Sequence, residues 1–186
     1  VKPVSLRVLK AAIQQALAKQ RQQLGDKRKL QELLRRANTD FLTGLSNRHH
    51  FQAQVKLEFE RSHRYERSLS CLLLDVDDFK QVNDVDGHAA GDAILQALGA
   101  LLVEHTRACD IACRYGGDEF LVVLPGAELG VARERAELVR RVFRELKPVQ
   151  AGTRSQQSCS LSLGVAALRP DDAGVESVIT RADQAL

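Results

Sequence analysis

The sequence has no Met, even at its first residue, no Trp, no C-x-x-C pair, no apolar run long enough to cross a bilayer and no large excess of charge. Each absence excludes a class. A formal net charge of +3 over 186 residues is too small to argue for a nucleic-acid footprint or a membrane-surface protein. Stretches such as Leu98 to Val103 fall far short of a membrane span. Cys71, Cys109, Cys113 and Cys159 lie in or beside apolar runs, which predicts reduced, mostly buried thiols of the kind found in the cytoplasm. His105, Cys109 and Cys113 are zinc-ligand types, but their run crosses from a helix into a strand, so they are not expected to share a face. The start at Val1 has no signal-peptide layout, and without an initiator Met the chain is expected to be a piece of a longer protein.

What is present is 44% hydrophobic and 27% charged, the balance of a globular domain with one sizeable core plus an appendage. From Ser5 to Asn38, apolar residues at Leu9, Ile13, Ala16, Leu30, Leu34 and Ala37 recur at alternating spacings of three and four, predicting one long helix. Gln20, Gln23 and Lys27 interrupt its apolar seam and Gly25-Asp26 weakens it, so pairing with a second copy would be imperfect there.

Beyond Asn38 the apolar runs alternate between strand and helix signals. Leu69 to Val76 reads as a buried strand ending in acid, Ala89 to Glu104 as a helix, and Ile111 to Tyr115 with Phe120 to Leu124 as a hairpin. Gly116 and Gly117 between the hairpin strands are expected to supply the positive backbone angles of a tight turn. Val131 to Leu146 reads as an amphipathic helix, Ser158 to Ala166 as an alternating strand and Val175 to Leu186 as a helix, while Phe79 to Asp92 reads as a polar loop feeding a helix. The order gives an α/β (α+β) sandwich of ferredoxin-like type, with a mainly antiparallel central sheet flanked by helices.

This topology brings two acidic clusters together: Asp75, Asp77 and Asp78 at a strand end, and Asp118 and Glu119 at the hairpin tip. If the strands are neighbours, Asp75 and Asp118 converge on one hard cation with positions left open for phosphate, which is a nucleotide-transfer site. Gly116 and Gly117 remove side chains where backbone approaches a phosphate or base. Asn83 and Asp92 offer the amide and carboxylate that bind a guanine edge, and Lys80 can meet phosphate as a point charge.

Asp40-Phe-Leu-Thr-Gly-Leu-Ser-Asn-Arg48, Asp75-Val-Asp-Asp-Phe-Lys80, Asn83-Asp84, Gly87-His88, Gly91-Asp92 and Arg114-Tyr-Gly-Gly-Asp-Glu-Phe120 resemble, in order and spacing, the GGDEF diguanylate cyclases. The resemblance runs from about Asn38 to the last residue. It implies a nucleotidyl-cyclase palm and the joining of two GTP molecules into cyclic di-GMP with release of pyrophosphate, using Mg2+ with Mn2+ as an alternative. Asp75, Asp118 and the backbone carbonyl of Val76 would then be metal ligands, Asp118 the proton acceptor, and Glu119 the supporting carboxylate. Asn83, Asp92 and His88 would line the guanine site. Two domains must face each other, so a homodimer is implied, with residues 1–38 as a linker or signalling helix and residues 39–186 as the cyclase domain. Members usually continue past Leu186, so a C-terminal truncation is expected.

Arg107-Ala-Cys-Asp110 fits the family's R-x-x-D inhibitory product site, where Arg107 would grip guanine or phosphate and Asp110 would take the guanine edge. Lys2-Pro3-Val4 resembles the end of a receiver domain. One rival reading is a catalytically silent domain kept as a GTP or cyclic di-GMP receptor, against which the retained Gly116, Gly117, Asp118, Glu119, Asn83 and Asp92 argue. Another is a cyclase making a cyclic mononucleotide or a polymerase-like palm, which shares the two-carboxylate chemistry but against which Asn83 with Asp92, suited to guanine, argues.

Overall fold

The computed structural model describes residues 6–146 and 159–186. The readings on Lys2-Pro3-Val4, on Ser5 as a helix start and on Ser158 as a strand start lie outside the described residues. The chain divides into two units at Asn38/Thr39.

The first unit holds helix α1, Leu6–Asn38, which continues through Gly25 without a break. Leu24, Leu30, Leu33 and Leu34 are each more than half exposed, so the second half of the helix presents apolar surface. Near its end Glu32 accepts from Arg35 and Arg36, and these hydrogen bonds hold its carboxyl down at about 2.

The second unit is built on a four-stranded sheet with order β2-β3-β1-β4: β1 Leu69–Val76, β2 Ile111–Arg114, β3 Glu119–Pro125 and β4 Leu161–Ala167. All three pairings are antiparallel. As the central strand, β1 is covered on both faces, which is why its sequence is an almost unbroken apolar run rather than an alternation. Helices α4 (His88–His105) and α5 (Leu129–Leu146) cover one face, where Leu72, Leu74, Ile94, Leu98, Phe120 and Phe143 pack together. Helices α2 (Arg48–Arg64) and α6 (Val175–Asp183) cover the other, against Cys71, Leu73, Leu121 and Val123. All four cysteines are free; Cys109 alone is exposed. Among the described residues no helix is long and apolar enough to cross a membrane.

Three expectations need correction. Helix α2 was not expected, because its buried positions Phe51, Val55 and Phe59 form a narrow stripe in a strongly polar segment. It starts where the Asn47 side chain accepts from the His50 N–H at 2.9 Å, an N-cap that satisfies one orphan donor. Phe79 to Asp92 is not a loop: Phe79–Asp86 is helix α3 and α4 begins at His88, with Gly87 at φ 85° as the only break. Neither Gly116 nor Gly117 has a left-handed φ, while Gly44, Gly87 and Gly126 do. A Cβ at Gly116 would lie 2.6 Å from the Glu119 carboxylate, so that side chain would have to shift to admit one.

The turn after β4 is tied down by Asp172, which accepts from the Arg169 N–H and from Arg181 of α6, each at 2.7 Å. Its side chain is 3% exposed. The Arg181 guanidinium, foremost, holds its carboxyl below the ordinary 3.8. A carboxylate with a depressed folded-state pKa stabilises the fold above its unfolded pKa, and that stability is lost as pH falls through the folded value. Asp172→Asn should therefore cost about 2 kcal/mol at pH 7, and the gap from the parent in urea denaturation should narrow as pH drops below 3.8.

Candidate active site

Strand register sets the site. Asp75 on β1 lies opposite Glu119 on β3 and Ser162 on β4, at the end of the sheet where the four-residue β2–β3 connection carries Asp118. Side-chain alternation puts Asp75 and Glu119 on the α2/α6 face, with Leu74 and Phe120 pointing to the other. Burial, then the charges of Asp118, Glu119 and Asp77, push the Asp75 carboxyl up. Among the described residues no Lys or Arg forms an ion pair with Asp75, Asp118 or Glu119. Crowded carboxylates without a protein counter-charge fit a hard divalent cation. The described residues contain no group of three or more His, Cys, Asp or Glu side chains placed to hold a metal, so what they offer is an open set of acids rather than a closed cage. Such a donor set suits an ion that keeps water and phosphate oxygens in its shell. Val76, the last residue of β1, is buried, leaving its carbonyl at the strand end.

Asp77 is engaged elsewhere. Its carboxylate accepts from the hydroxyls of Ser160 and Ser162, the latter at 2.6 Å, and its N–H donates to the Ser160 carbonyl. It fastens β4 to the end of β1. Asp78, at φ 56°, is a non-glycine residue in the left-handed region and turns the chain sharply from β1 into α3.

Helices α3 and α4 follow β1 in the chain and pack against each other. Asn83 is half-buried, and its side-chain oxygen rests against Gly91 in the first turn of α4, where a Cβ could not fit. Asn83 thus lies against the first turn of α4, in which Gly91 is followed by Asp92, and Asp92 is exposed. Lys80 on α3 and His88 at the start of α4 are exposed. The amide and carboxylate expected to act together are carried by α3 and by the first turn of α4.

The hairpin tip is held by residues to which the sequence pattern assigned no role. Arg114 donates to the Gly117 carbonyl from Nε at 3.1 Å and Nη2 at 2.7 Å. Its Nη1 lies 3.5 Å from Asp40, whose other oxygen accepts from the Thr43 N–H and hydroxyl at 2.9 and 2.7 Å. Nothing local announces this bond, since Asp40 and Arg114 are 74 positions apart.

Arg107 and Asp110 lie in the tight turn between α4 and β2. The Asp110 carboxylate accepts from the Arg107 N–H at 2.7 Å and from Arg135 of α5 at 2.6 Å, and its side chain is 2% exposed. As it stands it orders the turn rather than presenting an open acceptor; the Arg107 side chain remains exposed.

Comparison with known proteins agrees with this geometry. Residues 37–186 match the family described as "Diguanylate cyclase, GGDEF domain". The chain is 32% identical over 183 residues to the response regulator PleD of Caulobacter vibrioides, covering 98% of this chain and 40% of that protein. It is 37% identical over 157 residues to the diguanylate cyclase DgcP of Pseudomonas aeruginosa, covering 84% of this chain and 23% of that protein. It thus spans well under half the length of these relatives. Among solved structures, the coiled coil and GGDEF domain of DgcB from Caulobacter crescentus in complex with c-di-GMP superposes with a TM-score of 0.80 at 26% identity, over 93% of this chain and 91% of that one. Diguanylate cyclase SiaD of Pseudomonas aeruginosa, in complex with its activator SiaC, superposes at 0.75 with 35% identity, over 96% of this chain and 68% of that one. With its palm-like antiparallel sheet and paired acids at the β2–β3 tip, the chain belongs to the GGDEF diguanylate cyclase family.

Proposed function

We propose that this chain condenses two GTP molecules into cyclic di-GMP and two pyrophosphates across a homodimer of half-sites, with residues 39–186 as the cyclase and residues 1–38 as the linker. The observation that carries the reading is the crowding of Asp75, Asp118 and Glu119 at the end of the sheet, with no Lys or Arg ion pair to them among the described residues. Asn83 and Asp92 bind the guanine edge, His88 lines the pocket, and Lys80 meets phosphate. Gly116 and Gly117 let the hairpin backbone approach the nucleotide. Asp118 takes the proton from the attacking 3′-hydroxyl, with Glu119 beside it. A divalent cation, Mg2+ or Mn2+, held by Asp75, Asp118 and the Val76 carbonyl would neutralise the phosphate charge that builds up during transfer.

Each half-site holds one GTP, so the bond forms only when two domains face each other and each nucleotide's 3′-oxygen displaces pyrophosphate from the other's α-phosphate. The exposed leucines of α1 support pairing of the linkers, which raises the effective concentration of one domain near the other. A GTP substrate and four free thiols fit a cytoplasmic setting. Arg107, with Asp110 ordering its turn, is the grip for cyclic di-GMP as inhibitor; letting Asp110 reach a guanine edge requires release of Arg135.

Purified protein given Mg2+ and GTP should yield cyclic di-GMP by mass analysis, and Asp118→Ala should abolish synthesis while leaving the fold intact; a variant with activity near the parent's would remove the assignment. Asn83→Ala and Asp92→Ala should each weaken GTP binding by about 1 to 3 kcal/mol, read by titration calorimetry, and unchanged affinity in both would refute the guanine role. Arg107→Ala should shift the cyclic di-GMP inhibition curve to higher concentration with little change in initial rate; superimposable curves would reduce the turn to an ordinary helix-to-strand junction.

A further inference from the structure

A hairpin tip containing two glycines and four residues between its strands is a poor place to hold a carboxylate still, because glycine gives the backbone more freedom than any other residue. Ladder bonding stops early here: the Tyr115 and Gly116 N–H groups both donate to the Glu119 carbonyl. Asp118, next in the chain, needs another restraint.

The restraint is the Arg114 guanidinium. Two of its N–H groups converge on the carbonyl of Gly117, and that carbonyl belongs to the peptide bond joining Gly117 to Asp118. Fixing its direction fixes the peptide plane and with it the Cα of Asp118. The guanidinium is itself held from the far side by Asp40, with side chains only 18% and 16% exposed. Asp40 does not swing free: its N–H donates to the Leu45 carbonyl and its carbonyl accepts from Gly44, while Thr43 grips its second carboxylate oxygen. The turn is seated against the scaffold, because Thr43 lies so close to Gly99 of α4 that a Cβ there would come within 2.8 Å. Its other end is stitched to β2 by Ser46, which donates to the Ala112 carbonyl and accepts from the Arg114 N–H.

We infer that Asp40 and Arg114 are a positioning pair for the reaction: the turn at residues 40–45 sets the direction of the Gly117–Asp118 peptide, and so the placement of the Asp118 carboxylate, without touching nucleotide. This rests on the proposed cyclase function for its kinetic arm but not for its structural one. A planar fork is required, since a point charge cannot direct two N–H groups onto one oxygen.

The test compares Arg114→Ala, Arg114→Lys and Asp40→Asn with the parent by amide hydrogen exchange at the hairpin, by melting temperature and by steady-state kinetics. Exchange at Tyr115 to Asp118 should rise by about tenfold or more in both Arg114 variants, with exchange in β1 unchanged. Turnover should fall in parallel: kcat by about tenfold or more, with KM for GTP within about twofold, the pattern of a lost transition-state interaction. Asp40→Asn, which keeps the acceptor for Thr43, should lose less, and should add nothing in the Arg114→Ala background. A purely structural pair would instead lower the melting temperature and leave kcat per folded molecule unchanged. Parental hairpin exchange in Arg114→Ala overturns the inference, as does recovery of parental kcat by Arg114→Lys. A parent that makes no cyclic di-GMP counts against the cyclase reading, while hairpin exchange still decides the role of the pair.

Discussion

The register of β1 against β3 is the constraint on which the site depends. Leu72 opposite Val122 and Leu74 opposite Phe120 are locked by burial of one side-chain set against α4 and α5, and of the alternate set against α2 and α6. Because side chains alternate with period two, a slip of one residue would turn both sets to the wrong face. The same lock sets Asp75 opposite Glu119, a like-charge pair that a sheet would otherwise avoid. Core packing along the strand therefore offsets a local electrostatic penalty at its end.

The acids of this unit have separate duties, fixed by what each touches. Asp77 spends its oxygens on Ser160 and Ser162 and closes β4 onto β1, while Asp40 spends its own on Thr43 and Arg114. Asp110 and Asp172 are each nearly enclosed and each bonded to an arginine from a helix. Asp75, Asp118 and Glu119 are crowded together and, among the described residues, have no Lys or Arg ion pair. Counting acids in the sequence cannot separate these groups, because the difference lies in partners that come from distant positions.

Elements whose burial stamps a clear pattern were legible. The strand at Leu69–Val76 is read with its observed bounds because every position but Asp75 is buried, and the antiparallel sheet with α4, α5 and α6 follows from order and period alone. Helix α2 was hidden because three apolar residues at four-residue spacing in a charged segment give little contrast between faces. Helix α3 was hidden because the break at Gly87 divides two short polar stretches that each look like loop. The convergence of Asp75 with the hairpin acids was legible once the strands were placed as neighbours, whereas Asn83 and Asp92 were picked out by residue type, on a loop rather than on the two helices that carry them. The brace made by Asp40 and Arg114 was not, since a guanidinium reaching a carbonyl three residues on and a carboxylate 74 residues back leaves no periodic trace.

Strand β2 carries the Arg107–Asp110 turn at one end and Arg114 at the other, so it is the shortest physical route between the proposed product grip and the hairpin. It is only four residues long, about 13 Å at strand rise. It is nevertheless a poor transmitter of movement. One edge is laddered to β3, the other is bonded to Ser46, and Cys113 in its middle is fully buried. A strand pinned on both edges and through its side chains has no second packed arrangement to switch into, and coupling between sites requires such a bistable element. A ligand gripped at Arg107 would then leave the hairpin as it is and act by deciding which surfaces of two domains face each other, the one variable in a two-half-site reaction that no bond within a single domain controls.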